Sequence, residues 1–484
     1  MISSLIRLDL ALLRSSRAFW LLFVFLIMAA TFALIAGLDW RTRYVNAAQV
    51  AREQAAEAHN MLAKVYEDLA SGRQEPSDVD NYDGASPFIP DPRDPYVAGF
   101  YHEQLAELPP GNLLGLATGS TELRSTHHTI RSVPVATLIR IGEPAERINP
   151  GALAAGRFDL LAFIIYLCPL TLAILLFDAV AREREGGQAA LLAGLGLRQK
   201  ELLLARGLTR GSIVLLMALI ASIIGLALLG QLMSIAGLIW LGGTSIYLLF
   251  WTALLLGVAR LGYGLIGSAA IAFTTWLVLL LVMPGLMERA LRPSGLLEPR
   301  IMADAEVRKV EREVSVDEAS RAAAKALVAR KYWQVDFDEV PTCANREGIV
   351  SEYVVRRLSD EIYTAAMRTG REREQIYEDR LDRWSWLVPT LAFRRSMELV
   401  AGVSPIRQRA FEAQAIDYHA QWRNRVTDAL FTCYQFTRSD FENAPQFKWN
   451  EPLVSSMPWG VMSFLVVFTL LIGRYVLSPY PLFQ

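Results

Sequence analysis

The chain has 484 residues, 53 % of them hydrophobic and 20 % charged, with 48 Lys and Arg against 49 Asp and Glu. A formal net charge of -1 offers no basic surface to a polyanion, which excludes a nucleic-acid-coating protein, and so much apolar content excludes a disordered chain. Three cysteines exclude a disulfide scaffold, leaving a membrane protein or an unusually apolar soluble enzyme.

Residues 1–18 open the chain. Within them Ile2 to Leu13 mixes apolar residues with Arg7 and Asp9, which predicts a helix lying in a membrane interface. Residues 19–38 carry no charge and would make about 30 Å of helix, the thickness of a hydrocarbon core. A signal peptide would have a shorter apolar region and a small-x-small site, so the stretch reads as a first span. Arg41 to Gly72, rich in alanine and charge, reads as the same helix continuing outward until Pro76, Pro87, Pro90, Pro92 and Pro95 end it. Thr129 to Ile141 has β-branched residues enough for one or two short strands.

Residues 158–180 form a second span, and 181–210 a short charged loop. Gly211 to Ala259 is charge-free and long enough for two spans, 211–230 and 240–259, with a turn marked by Gly230, Gln231, Gly242 and Gly243. Residues 262–286 make a fifth span and 454–473 a sixth, followed by a tail over 474–484. Six such runs favour lipid over a soluble core. Arginines and lysines crowd one side: Arg7, Arg14 and Arg17, then Arg182, Arg184, Arg198, Lys200, Arg206 and Arg210, then Arg260 and Arg474. That bias puts both termini in the cytoplasm, although Arg41, Arg43, Arg157, Arg289 and Arg292 lie against it.

Residues 39–157 and 288–451, more than half of the chain, then fall outside the cytoplasm. The second segment is mostly helical: Ser315 with Glu318 reads as a capping box opening a helix toward Arg330, and Arg346 to Trp384 and Ile406 to Thr437 carry helical periodicity. Cys343 and Cys433 share this segment. In an oxidising compartment they would be a disulfide pair closing a loop of about ninety residues, worth ~4 kcal/mol; otherwise they are two unpaired thiols.

Several chemistries are missing. There is no phosphate-binding G-x-x-x-x-G-K-[ST] loop, no H-E-x-x-H and no G-x-S-x-G elbow, and Gly194-Leu195-Gly196 reads as a turn. His102-Glu103 is an isolated dipeptide and His127-His128 reads as exposed loop, so no metal site is expected. Ionisable residues are nearly absent from the spans, with Asp159 and Asp178 at the ends of one, so neither a proton relay nor an ion filter is expected. A transporter without either would need a separate motor. The loop led by Arg182, Glu183, Arg184 and Glu185, broken at Gly186-Gly187 and followed by Ala189 to Ala193, suits docking to a cytoplasmic partner, or is a plain helical hairpin between spans.

Three blocks carry a resemblance: Gly156-Arg157-Phe158-Asp159-Leu160, Tyr166-Leu167-Cys168-Pro169-Leu170, and Arg182 to Gly187. Together they resemble the ABC-2-type permeases, in particular a subfamily with a large extracytoplasmic insertion of unassigned function. The block Pro389-Thr390-Leu391-Ala392-Phe393 through Ala401-Gly402, with Phe411 and Tyr418, looks like that insertion's signature. The resemblance implies a mainly α polytopic protein with six transmembrane helices in an ABC-2, type V exporter-like arrangement and two large, mostly helical extracytoplasmic segments. It implies a permease working as a dimer in a bacterial inner membrane, with ATP and Mg bound by partner ATPase subunits and no cofactor on this chain. Arg182 to Gly187 and the helix after it would be the coupling helix, and Ile2 to Leu13 a connecting helix. An amphipathic or lipid-linked substrate, and a periplasmic or outer-membrane partner for the exposed segments, complete the expectation. This chain departs from the family pattern in having Gly196 where a proline is usual, Val403-Ser404 for a polar pair, and Arg407, Gln408 and Arg409 for histidines.

Overall fold

The structure, a computed structural model, describes residues 2–71, 91–119, 121, 126–132, 158–194, 196–292, 298–333, 347–432, 434–452 and 457–478. Its helices, in chain order, are α1 (Ile2–Ser15), α2 (Arg17–Ala70), α3 (Pro95–Tyr101), α4 (Leu160–Glu185), α5 (Gln188–Gly194), α6 (Gln199–Leu228), α7 (Ile235–Ala259), α8 (Leu265–Leu291), α9 (Glu298–Val316), α10 (Glu318–Trp333), α11 (Glu347–Trp384), α12 (Pro389–Ala401), α13 (Pro405–Phe431), α14 (Arg438–Glu442) and α15 (Met457–Leu477). Two strands, β1 (Gln104–Glu107) and β2 (His127–Ile130), pair antiparallel with Gln104 opposite Ile130. Gly156, Arg157, Cys343 and Cys433 lie outside the described residues.

Six helices, α2, α4, α6, α7, α8 and α15, are long and apolar enough to cross a membrane. They are not equivalent. The most apolar window of α4 is 67 % buried, against 22 % for α2 and 17 % for α8, so α4 is the central post and the others offer apolar faces to lipid. Ser16 caps α2 by accepting from the Phe19 N–H, and the helix then runs 54 residues, about 80 Å, carrying the first span straight into the exterior domain. Leu62 and Tyr66, near its far end, pack on Phe441.

Two prolines organise the interior of the bundle. Pro169 follows a π-helical turn at Phe163–Leu167 and has no N–H for the carbonyl of Ile165 four residues back; the Tyr247 hydroxyl of α7 fills that gap at 3.1 Å. Pro284 follows a second such turn, Val278–Val282, and the carbonyl of Leu279 accepts instead from the Thr390 hydroxyl at 2.6 Å. Thr390 belongs to α12, a helix expected to lie within the exterior domain 288–451. It packs directly on the spans: Ala392, Phe393, Met397 and Ala401 share a core with them, and Phe393 stacks on Tyr247, the central residue of α7, at 4.2 Å and 6°. The chain leaves the exterior, enters the bundle with Pro389 in the first turn of α12, and exits at Gly402, whose φ of 73° places it in the left-handed region.

The turn expected at Gly242-Gly243 is also corrected. The chain turns at Gly230, and Gly243 sits inside α7, where a Cβ would come within 2.8 Å of the Met397 and Met462 methyls. In the exterior domain the helix toward Arg330 is opened by Asp317, whose carboxylate accepts from the Ser320 N–H at 2.9 Å, rather than by Ser315. His128, expected in an exposed loop, is buried in β2 and stacks on Phe411 at 5.4 Å.

The exterior segments are clamped to each other and to the bundle. Asp159 caps α4 through the Ala162 N–H at 2.8 Å and also accepts from the Thr118 N–H and hydroxyl at 2.7 and 2.9 Å. Gly111 lies against the Ala401 and Gly402 carbonyls so closely that a Cβ would come within 2.5 Å of both. Arg407 forks onto Glu451 at 2.6 and 3.1 Å and donates to the Pro109 carbonyl at 2.8 Å. A second core of Leu108, Ile130, Phe411, Trp422 and Phe436 fills the space beyond.

Candidate functional site

The base of the bundle holds five charged side chains that are each less than 10 % exposed: Asp9, Asp178, Glu183, Arg206 and Arg210. Local structure explains why they meet. α4 breaks into turns at 177–180, which strips its last carbonyls of helical partners. Arg206 donates to the Ala179 carbonyl at 2.7 Å and Arg210 to the Leu175 carbonyl, two cations at a helix C-terminal end. The two arginines are four residues apart on α6 and share one face.

Their remaining donors go to carboxylates. Arg210 takes Asp9 of α1 side-on, Nε to Oδ2 at 3.1 Å and Nη2 to Oδ1 at 2.9 Å, and gives Nη1 to Asp178 at 2.6 Å. Arg206 forks onto Glu183, with Nη1 to Oε2 at 2.6 Å, and its Nε lies 3.6 Å from Asp9. The exposed Arg182 closes the network on the second Asp178 oxygen at 2.9 Å. Two cations and three anions buried together tie α1, the end of α4 and the start of α6 into one joint. Removing one partner from such a set leaves an uncompensated buried charge.

The next two residues reach in another direction. Arg184 donates to the Gly262 carbonyl at 2.7 Å, and the Glu185 carboxylate accepts from the Leu265 N–H at 2.7 Å, supplying the cap that Gly264 cannot give α8. Gly262 has a φ of 78°, and a Cβ there would strike the Arg184 guanidinium. The segment ends at Gly186, with Gly187 at φ 68° turning the chain into α5, and Leu191 of α5 stands 70 % exposed. Arg182, Glu183, Arg184, Glu185, Gly186 and Gly187 are therefore brought together with α1, α6 and the α7–α8 turn. Phe158 stacks on Phe32 of α2 at 6.2 Å; with Asp159, Pro169, Pro389 and Gly402 it belongs to the outer half of the molecule.

Sequence reasoning missed half of this joint. Arg206 and Arg210 were expected as rim charges of a loop over 181–210, but α6 begins at Gln199 and buries both; Asp178 was expected as a boundary residue and is a member of the network. The available signal was a pair of arginines four apart entering a charge-free run, facing an acid at the end of the previous run. Among the described residues no three His, Cys, Asp or Glu side chains group as a metal site.

Six span-length helices, one of them a central post, with a charged joint at one end, define a polytopic α-helical membrane protein. The profile of the ABC-2 family transporter proteins matches residues 4–310, and the chain belongs to that family. A domain of unknown function (DUF3526) matches residues 301–450. No curated protein and no solved structure matches the chain. Membership makes it a membrane subunit of an ABC transporter and implies an ATPase partner.

Proposed function

We propose that this protein is the permease of an ATP-driven exporter or extractor of an amphipathic or lipid-linked substrate. It works as a dimer in a bacterial inner membrane with both termini cytoplasmic, and ATP and Mg are bound by the partner ATPase. The observation that carries the reading is the joint of Asp9, Asp178, Glu183, Arg206 and Arg210 beside the exposed helix α5. Force applied to α5 reaches α4 and α6 through buried ion pairs, and reaches α8 through Glu185 and Arg184. The nearly uncharged spans suit a hydrophobic substrate better than an ion.

The test is the double substitution Arg184→Ala and Glu185→Ala in the complete complex. The reading expects ATPase co-purification or substrate-linked ATP turnover to fall several-fold while the permease stays folded. Unchanged co-purification and turnover would remove the coupling assignment.

One observation favours a second reading, in which the complex moves its exterior domains against an envelope partner without carrying substrate through the membrane. α2 is one unbroken helix from Arg17 to Ala70, and its outer end packs on Phe441, so motion at the base has a rigid route outward. Substrate-stimulated ATP hydrolysis supports transport; a sealed path with large ATP-dependent motion outside supports the lever.

A further inference from the structure

The helix α12 takes charge into the bundle. Thr390, Phe393 and Met397 face α7 and α8, and Arg395 turns the other way to pair with Glu378 at 2.6 Å and with Asp382 of α11. Arg394 and Glu398, one helical turn apart, occupy a third face. Glu398 is buried and accepts only the Nε of Arg394, at 2.9 Å. The two terminal nitrogens, Nη1 and Nη2, make no hydrogen bond among the described residues, and 47 % of the Arg394 side chain is open. Tyr166 of α4 and Glu288 of α8 are its other electrostatic neighbours. The Tyr166 backbone is fixed by the Trp276 indole, which donates to its carbonyl at 3.1 Å, while its hydroxyl has no hydrogen-bond partner among the described residues.

An open guanidinium fork at this depth is costly toward lipid and asks for a polar counterpart. The fork matches the paired oxygens of a phosphate or carboxylate. Glu398 offsets the arginine's charge, so an anion held there is also released. We propose that the Arg394 fork binds the anionic headgroup, phosphate or carboxylate, of an amphipathic substrate whose apolar part lies along α4 and α8. This rests on the transport reading and adds to it the charge of the substrate and the residue that recognises it.

Native mass spectrometry of the full-length protein, without the ATPase, titrated with dioleoyl phosphatidic acid tests it. Dioleoylglycerol carries the same tails without the anion, and inorganic phosphate the anion without the tails. The expected result is a saturable phosphatidic acid adduct that neither control forms, weakened about tenfold or more by Arg394→Gln. Arg394→Lys, which keeps the charge and loses the fork, should weaken it less, and Glu398→Gln should tighten it. Should Arg394→Gln fail to fold, Arg394→Lys against Glu398→Gln gives the same comparison. The proposal is overturned if Arg394→Gln and Glu398→Gln act alike, as a purely structural pair would, or if either control binds as well as phosphatidic acid. It is equally overturned if Arg394→Gln splits a dimer, which would give the fork to a second copy. Because the ATPase is absent, a negative result leaves the coupling assignment standing, and a failed coupling assignment leaves the adducts unchanged.

Discussion

The two ends of the bundle are closed by different physics. At the base, five buried Asp, Glu and Arg side chains pair with one another and with the carbonyls at the break in α4. At the outer end a single fork, Arg407 on Glu451, is joined by Arg407 bonds to backbone carbonyls, by glycines that let backbone touch backbone, and by stacked rings around His102 and His128. Ion pairs between separate helices hold through distance and direction, so the joint they make can transmit force and also be reset. Glycine contacts and stacked rings leave no such freedom. The difference fits the proposed function, with the base as the coupling joint and the outer end holding residues 91–132 and 389–451 in register.

The largest effect that sharpens this contrast is expected from Arg210→Ala. It strands Asp9 and Asp178 in a buried site and should cost about 3–5 kcal/mol, read as a fall in the thermal midpoint of the purified protein. A surface-like cost below about 1 kcal/mol would show that the base is hydrated and not a buried joint.

Acid should act on the outer end first. Burial lowers the His102 imidazole to about 3 and that of His128 to about 4, so both are neutral in the folded protein. The unfolded chain takes up a proton near pH 6.5 and the folded one does not, so stability present above that pH is lost as pH falls toward 4. At pH 5.5 the loss should be about 1.4 kcal/mol per histidine, followed as increased proteolysis of the exterior domain relative to pH 7.5. Equal protection at both pH values would contradict the burial of these rings.

A smaller change is expected from Gly111→Ala. The new Cβ meets the Ala401 and Gly402 carbonyls and should cost about 1–3 kcal/mol, shown by a lower midpoint with ATPase co-purification intact. The smallest is Glu185→Gln, which weakens one helix cap by about 1 kcal/mol or less yet should impair coupling. Measuring midpoint and ATP turnover together on these two variants separates the ends: one loses stability without coupling, the other coupling without stability.

The spans were legible because lipid imposes a composition that soluble cores do not, and charge-free runs of about twenty residues mark it. The outward continuation of the first span and the helices expected over Arg346 to Trp384 and Ile406 to Thr437 followed from periodicity in the same way, although the second of these ends at Phe431. α12 was not legible. Its Arg394, Arg395 and Glu398 give it the charge density of a surface helix, and only the partners it finds, a carbonyl released by Pro284 and the ring of Tyr247, place it in the bundle. The joint at the base was half legible: Arg182 to Gly187 stood out as a segment, but Asp9, Asp178, Arg206 and Arg210 read as solvated ends of spans because single-chain spacing does not reveal which ends meet. Gly243 illustrates the same limit, since a glycine chosen for packing and one chosen for a turn look identical in sequence.

The buried ions make α1, the end of α4 and the start of α6 one body, and in the proposed function that body carries ATPase motion into the spans. Spin labels at Leu8→Cys on α1 and Leu216→Cys on α6, both exposed positions, test it directly by their distance in the nucleotide-free and the ATP-trapped complex. The account predicts the same distance in both states for the intact joint, and a broadened or shifted one once Arg210 is replaced by alanine. A distance that already changes on ATP trapping with the joint intact would contradict it.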